Sequence, residues 1–127
     1  MDEALQQLVE MCTSVERGNP LWPDGIDRFC REHSIDAEAF SYHFAKLVAL
    51  GFAEGTLSFR GADAAMNRLS GAEGVWGRSE FAEAIYEAFD AGEYLHDGDL
   101  PSTISWQKYT LPAVMEALAN EDLLPRT

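Results

Sequence analysis

The stretch that decides the fold is "SEFAEAIYEAFDAG", residues 79–92. It predicts an amphipathic helix from Glu80 to Ala91, because apolar and acidic side chains recur at the three- and four-residue steps of an α-helix. Ser79 is a suitable N-terminal cap, and Gly92 is a natural C-terminal stop. The apolar side comprises Phe81, Ile85, Ala88 and Phe89, and the opposite side comprises Glu80, Glu83, Glu87 and Asp90.

Further helices are predicted on both sides of this segment. Each has apolar residues at helical spacing, and glycine, proline or capping residues separate one from the next. They cover residues 2–17, 26–33, 37–50, 62–69 and 111–122. Gly51 is the expected end of the third of these, and residues 70–77 are expected to form a glycine-rich loop. Residues 52–60 predict a small β-hairpin with its turn near Gly55.

The composition is that of one globular domain. The chain has 127 residues, of which 46% are apolar and 11% aromatic, and this is sufficient to fill one core. No internal repeat, low-complexity tract or linker interrupts it. We therefore predict a single, mainly α domain over residues 1–127. It is a compact bundle of about five to six helices, together with the small β-hairpin of residues 52–60.

The charge of the chain limits its partners. Its formal net charge is −13, from 22 acidic residues against nine Lys and Arg. Such a field repels phosphate backbones, so no nucleic-acid partner is predicted, whereas a basic protein is attracted. Cys12 and Cys30 form no disulfide framework, and neither a signal peptide nor an apolar run long enough for a membrane span is present. These features predict a cytoplasmic protein with no membrane partner.

The acidic side of the 80–91 helix is the strongest candidate for a binding surface. Between Ser79 and Gln107 there are seven acidic residues and no Lys or Arg. Like charges at helical spacing destabilise a helix by a few tenths of a kcal/mol per pair, and we expect no local residue to neutralise them. The face is therefore either a solvated helix surface or a docking surface for a basic protein. The predicted partner-binding residues are Glu80, Glu83, Glu87, Asp90, Tyr94, Asp97, Asp99 and Trp106.

Within this set the acids would steer the encounter, and Tyr94 and Trp106 would anchor the contact. The alternative for the aromatic residues is a small cluster of core side chains beneath a long connecting segment.

Two other groups of residues suggest chemistry. His96, with Glu93, Asp97 and Asp99, offers an imidazole and hard oxygen ligands, although the spacing is not that of a calcium loop. Cys30 and His33 share one side of a helix, with His43 as a further candidate, so that a zinc site or a nucleophilic pair is conceivable. Ordinary turn and core roles are the preferred interpretation of both groups. We predict no catalytic residue, no metal ligand and no cofactor, and favour a protein that is not an enzyme.

Residues 26–60 resemble a winged-helix module. The short helix, the "HSID" turn, the second helix and the passage "LVALGFAEGTLSFR" follow in the order of that family. The resemblance implies a helix-turn-helix with a hairpin wing beside it. Because Lys46 is the only Lys or Arg of the second helix, the resemblance implies a regulatory module that contacts proteins.

The leading prediction is a small, acidic, non-enzymatic protein that docks on a basic protein partner. Bacterial immunity proteins, other small inhibitors of basic enzymes and nucleic-acid mimics have this kind of composition. A regulatory winged-helix-like module is the alternative, and a metal-binding or enzymatic protein that uses residues 93–99 is a second one.

Overall fold

The structure is a computed structural model that describes residues 1–14, 18–73 and 78–124. These residues form six α-helices and one π-helical turn. The helices are α1 (Asp2–Cys12), α2 (Gly25–His33), α3 (Ala37–Glu54), α4 (Phe59–Glu73), α5 (Glu80–Ala91) and α6 (Leu111–Asn120), and the π-turn is Trp106–Thr110. The prediction of a mainly helical bundle is confirmed. No helix among the described residues combines the length and the apolar character that crossing a bilayer requires.

Helix α5 occupies the centre of the bundle. Its bounds, Glu80–Ala91, confirm those predicted from the sequence. It contacts α3, α4, α6 and the π-turn, and its apolar side chains, among them Ile85 and Phe89, are buried. The Ser79 side chain caps the helix by accepting a hydrogen bond from the Ala82 N–H at 3.0 Å. The Ser79 N–H in turn donates to Ser41 Oγ of α3 at 2.9 Å. A short buried polar link therefore fixes the start of α5 against α3.

Gly92 follows α5, but its backbone differs from the expected left-handed stop. Its φ of −87° is available to any residue. Glycine is needed because a Cβ at this position would lie 2.0 Å from Thr110 Oγ1. Thr110 uses that oxygen to donate a hydrogen bond to the Ala88 carbonyl at 2.7 Å. The missing side chain thus allows the π-turn to pack directly against the end of α5.

The predicted hairpin at residues 52–60 is not formed, although all nine of these residues are described. Helix α3 continues through Gly51 to Glu54, and Gly55, with a φ of +84°, ends it in the left-handed conformation. Gly51 lies inside the helix, and the Leu57 side chain packs over it. A Cβ at this position would lie 2.9 Å from Leu57, so the packing requires glycine. The Gly51 carbonyl accepts hydrogen bonds from the Thr56 and Leu57 N–H groups.

The other helix boundaries also differ in places from the prediction. Helix α4 begins at Phe59 and includes residues 70–73, which were expected to be a loop; the rest of that expected loop, 74–77, lies outside the described residues. Helix α1 ends at Cys12, where the Thr13 hydroxyl donates to the Glu10 carbonyl at 2.6 Å. The expected end at 15–17 falls outside the described ranges.

Candidate functional site

A groove lined by apolar and acidic side chains lies between α5 and α6. The two helices run antiparallel, since Thr110, at the start of α6, bonds to Ala88 near the end of α5. The groove between them has a volume of about 530 Å³. It is lined by Glu80, Phe81, Ala84, Glu87, Ala88, Ala91, Tyr109, Ala113, Glu116, Ala117, Asn120 and Glu121.

The groove has an apolar floor and acidic edges. Five alanines lie in it, three from α5 and two from α6, and the rings of Phe81 and Tyr109 also line it, so that the floor is mainly apolar. Glu80 and Glu87 line it on the α5 side, and Glu116 and Glu121 line it on the α6 side; all four are exposed. None of the lining residues is a Lys or Arg. The groove therefore combines apolar surface with a field that attracts cations.

The other two acids of α5 lie away from the groove. Glu83 pairs with Arg78, whose Nη1 is 2.6 Å from its carboxylate. The same guanidinium lies 5.4 Å from the ring centre of Tyr86 and donates to Ser70 Oγ of α4. The expectation that no local residue neutralises the acidic row is therefore wrong for Glu83, because the basic residue stands just before the window of residues 79–107.

Asp99 lies inside the segment that connects α5 to the π-turn, residues 93–105, which we call the connector. Only 1% of its side chain is exposed. Its carboxylate accepts hydrogen bonds from Lys108 Nζ at 2.5 Å, from the Tyr109 hydroxyl at 2.7 Å and from the His96 N–H at 2.9 Å. These bonds, those from Lys108 and Tyr109 above all, lower the pKa of Asp99 to about 2. Asp99 organises the connector and does not reach its surface.

The two predicted aromatic anchors have different surroundings. Trp106 is half-buried and stacks on Phe59 with ring centres 6.1 Å apart, and it meets Phe52 edge-on at 5.8 Å. Tyr94 is 54% exposed and stacks on His96 at 4.5 Å. Tyr94 is thus available for a contact, whereas Trp106 packs against the aromatic part of the core. Asp97 is exposed.

Asp90 stands near the partly buried carboxyl group of Asp63, which the sequence pattern does not indicate. Asp63 of α4 has one carboxylate oxygen, Oδ1, buried without a hydrogen-bond donor among the described residues. Asn67 Nδ2 bridges from Glu93 Oε2, at 2.9 Å, to Asp63 Oδ2, at 3.4 Å. Burial, the hydrogen bond with Glu93 and the charges of Glu93 and Asp90 raise the pKa of Asp63 to about 8. The raised pKa favours the protonated form of Asp63, whose carboxyl group lies beside Glu93 just after α5.

Two of the residues considered for metal or nucleophilic chemistry, His96 and Asp99, are held in other hydrogen bonds. His96 Nε2–H donates to the Ala91 carbonyl at 2.8 Å, and Asp99 is held as described above. Burial and the charges of Asp27 and Asp36 raise the pKa of Cys30, which disfavours a thiolate there. The described part of the chain holds no group of three or more His, Cys, Asp or Glu suited to a metal ion.

The segment that resembles a winged-helix module lacks the hairpin wing, which is the element that distinguishes that family. Helix α2 and helix α3 follow one another as in a helix-turn-helix, and Ser34, with a φ of 56°, forms the turn. The segment expected to be the wing, residues 52–60, is instead the end of α3, a tight turn and the start of α4.

Comparison with known proteins adds no relative. No protein-family model matches the chain, and the searches of curated proteins and of solved structures give no significant match either. The arguments for function below therefore come from the geometry of the chain itself.

Proposed function

We propose that this chain is a small acidic binding module that docks on a basic protein, in the manner of an inhibitor, an immunity protein or a nucleic-acid mimic. The observation that carries the proposal is the groove between α5 and α6, where four exposed glutamates surround an apolar floor. The net charge of −13 supports it, because a field of this sign speeds encounter with a basic surface and repels nucleic acid.

The predicted binding residues contribute to this proposal in different ways. Glu80 and Glu87 line the groove, and Tyr94 and Asp97 form an exposed edge beyond the end of α5. Asp90 adds to the field from the neighbouring side of the helix, whereas the charge of Glu83 is paired with that of Arg78. Asp99 and Trp106 do not contact the partner themselves. They hold the connector and the π-turn in place next to the groove. The free thiols of Cys12 and Cys30 suit a reducing cytoplasm, which is the compartment that we propose.

The test is affinity capture from native lysate with the wild-type chain and two charge-reversal variants. Glu80→Lys/Glu87→Lys alters the groove. Glu3→Lys/Glu10→Lys is the matched control, because these exposed residues of α1 have the same seven-residue spacing and the same change of charge. We expect a basic protein that wild type and control retain at about 50 mM salt and release at about 300 mM, and that the groove variant does not retain.

Equal loss in the two variants would show that total charge, and not this surface, governs capture. Retention by both variants, or the absence of any salt-sensitive partner, would refute the proposal.

A further inference from the structure

The shape of the groove specifies the kind of segment that fits it. Two antiparallel helices packed side by side leave an elongated trough, and a third helix fits such a trough by laying its own ridge of side chains into it. Alanines at the floor allow a close approach of backbones. The floor residues of α5, Ala84, Ala88 and Ala91, are spaced by four and three residues, which keeps them on one side of that helix.

The charges specify the edges of the partner. Glu80 and Glu87 are seven residues apart, which is two helical turns or about 10 Å along the axis. A partner helix with Lys or Arg two turns apart on one edge would meet both. Glu116 and Glu121 line the opposite side of the groove and would meet basic residues on the other edge of the same helix. An extended strand would leave its backbone groups unpaired against methyl groups, which is unfavourable.

We infer that the groove between α5 and α6 binds one amphipathic helix of the basic partner, with a stripe of small or aliphatic residues flanked on both edges by Lys and Arg. This inference rests on the proposed function and specifies the segment of the partner that is recognised. Binding of this type buries the apolar stripe and pairs the flanking cations with the glutamates.

The probe is a dye-labelled peptide of Leu, Ala and Lys, about 18 residues or five turns long, patterned as such an amphipathic helix. Its control is a peptide of the same composition in scrambled order. Fluorescence anisotropy gives the affinity, and amide chemical-shift changes locate the bound peptide. We expect the patterned peptide to become helical, to shift amides of α5 and α6, and to bind at least about tenfold more tightly than the scrambled one.

Two pairs of variants separate the floor from the charges. Ala84→Gln/Ala117→Gln obstructs the floor without a change of charge, and Ala4→Gln/Ala119→Gln places the same residues at exposed helix positions outside the groove. Glu87→Gln/Glu116→Gln removes charge without a change of shape, with Glu3→Gln/Glu10→Gln as its control. We expect about tenfold weaker binding for each groove variant and at most about twofold for each control. Unchanged helicity and melting temperature establish that the variants are folded.

The outcomes distinguish this inference from the proposal on which it rests. If Glu80→Lys/Glu87→Lys abolishes capture of the natural partner while Ala84→Gln/Ala117→Gln leaves both capture and peptide binding intact, the basic-partner proposal stands and the helix-in-groove inference fails. Equal affinity for patterned and scrambled peptides, or shifts confined to residues outside α5 and α6, also refutes the inference. If the groove charge variants affect neither capture nor peptide binding, both fail.

Discussion

Asp63→Asn is the substitution whose effect on stability depends most on pH. The Asp63 carboxyl has an ordinary pKa of 3.8, raised to about 8 in the folded protein by burial first, and then by Glu93 and Asp90. At acid pH the carboxyl is protonated in both the folded and the unfolded chain. Between the two values the unfolded chain loses the proton and the folded chain keeps it, so the free energy of unfolding falls as pH rises and the loss is complete above about pH 8.

The size of the effect follows from the same shift. Each unit of pKa difference corresponds to about 1.4 kcal/mol, but Asp63 is partly exposed and solvent screening reduces this. We expect this carboxyl to account for about 2 kcal/mol of lost stability between pH 5 and pH 9. In Asp63→Asn the amide donates to Glu93 at every pH, and the loss is absent. The variant should match wild type at pH 5 and exceed it by about 2 kcal/mol at pH 9, or roughly 6 °C in melting temperature.

Thermal and urea denaturation followed by circular dichroism at pH 5, 7 and 9 measure this difference. The control is Asp27→Asn, which removes the same charge from an exposed position on α2. Its curve should stay parallel to that of wild type. Parallel curves for Asp63→Asn and wild type over this range would refute the raised pKa of Asp63.

Three further substitutions test the packing around α5. Gly92→Ala should destabilise the protein by about 1–3 kcal/mol in urea denaturation, although alanine favours helices, and Thr110→Ala in the same chain should recover part of the loss. Ser41→Ala leaves the buried Ser79 N–H without its acceptor and should lower the free energy of unfolding by about 1–3 kcal/mol. Asp99→Ala removes the acceptor at the centre of the connector, and hydrogen exchange of residues 94–105 should accelerate by more than about tenfold while α3 is unaffected.

Sequence periodicity predicts α5 well, because its cap, its apolar side and its length all agree. It cannot determine which of two glycines ends α3. Gly51 has the local signature of a stop, but its small size serves the packing of Leu57, whereas Gly55 adopts the left-handed conformation. The difference is tertiary, so a local pattern gives the wrong boundary and suggests a hairpin from the residues that follow.

The candidate site shows the same division between local and tertiary information. Glu80 and Glu87 follow from the amphipathic pattern of α5. The alanines of α6 that complete the groove also repeat at a helical spacing, as Ala113 and Ala117, and this is the only signal in the sequence that could have indicated them. That α6 packs beside α5 depends on the π-turn and on Gly92. For Asp63, nothing in its local sequence indicates burial beside Glu93.

The π-turn separates a part of the chain that can absorb the loss of one residue from a part that cannot. Within it the Leu111 N–H bonds to the Trp106 carbonyl five residues earlier, so the turn holds one residue more than an α-helical turn. Each residue of an α-helix adds about 100° of rotation. Deletion of one of residues 106–109 would let this turn close as an α-helical turn, with Val114 and Leu118 still in the core. Deletion of one residue between Thr110 and Val114 would instead rotate both side chains by about 100° relative to Thr110 and out of the core. In an evolving lineage, single-residue deletions should therefore be found within residues 106–109 or at the exposed turn of Pro101 and Ser102. The spacing from Thr110, which packs on Gly92, to Leu118 should stay constant.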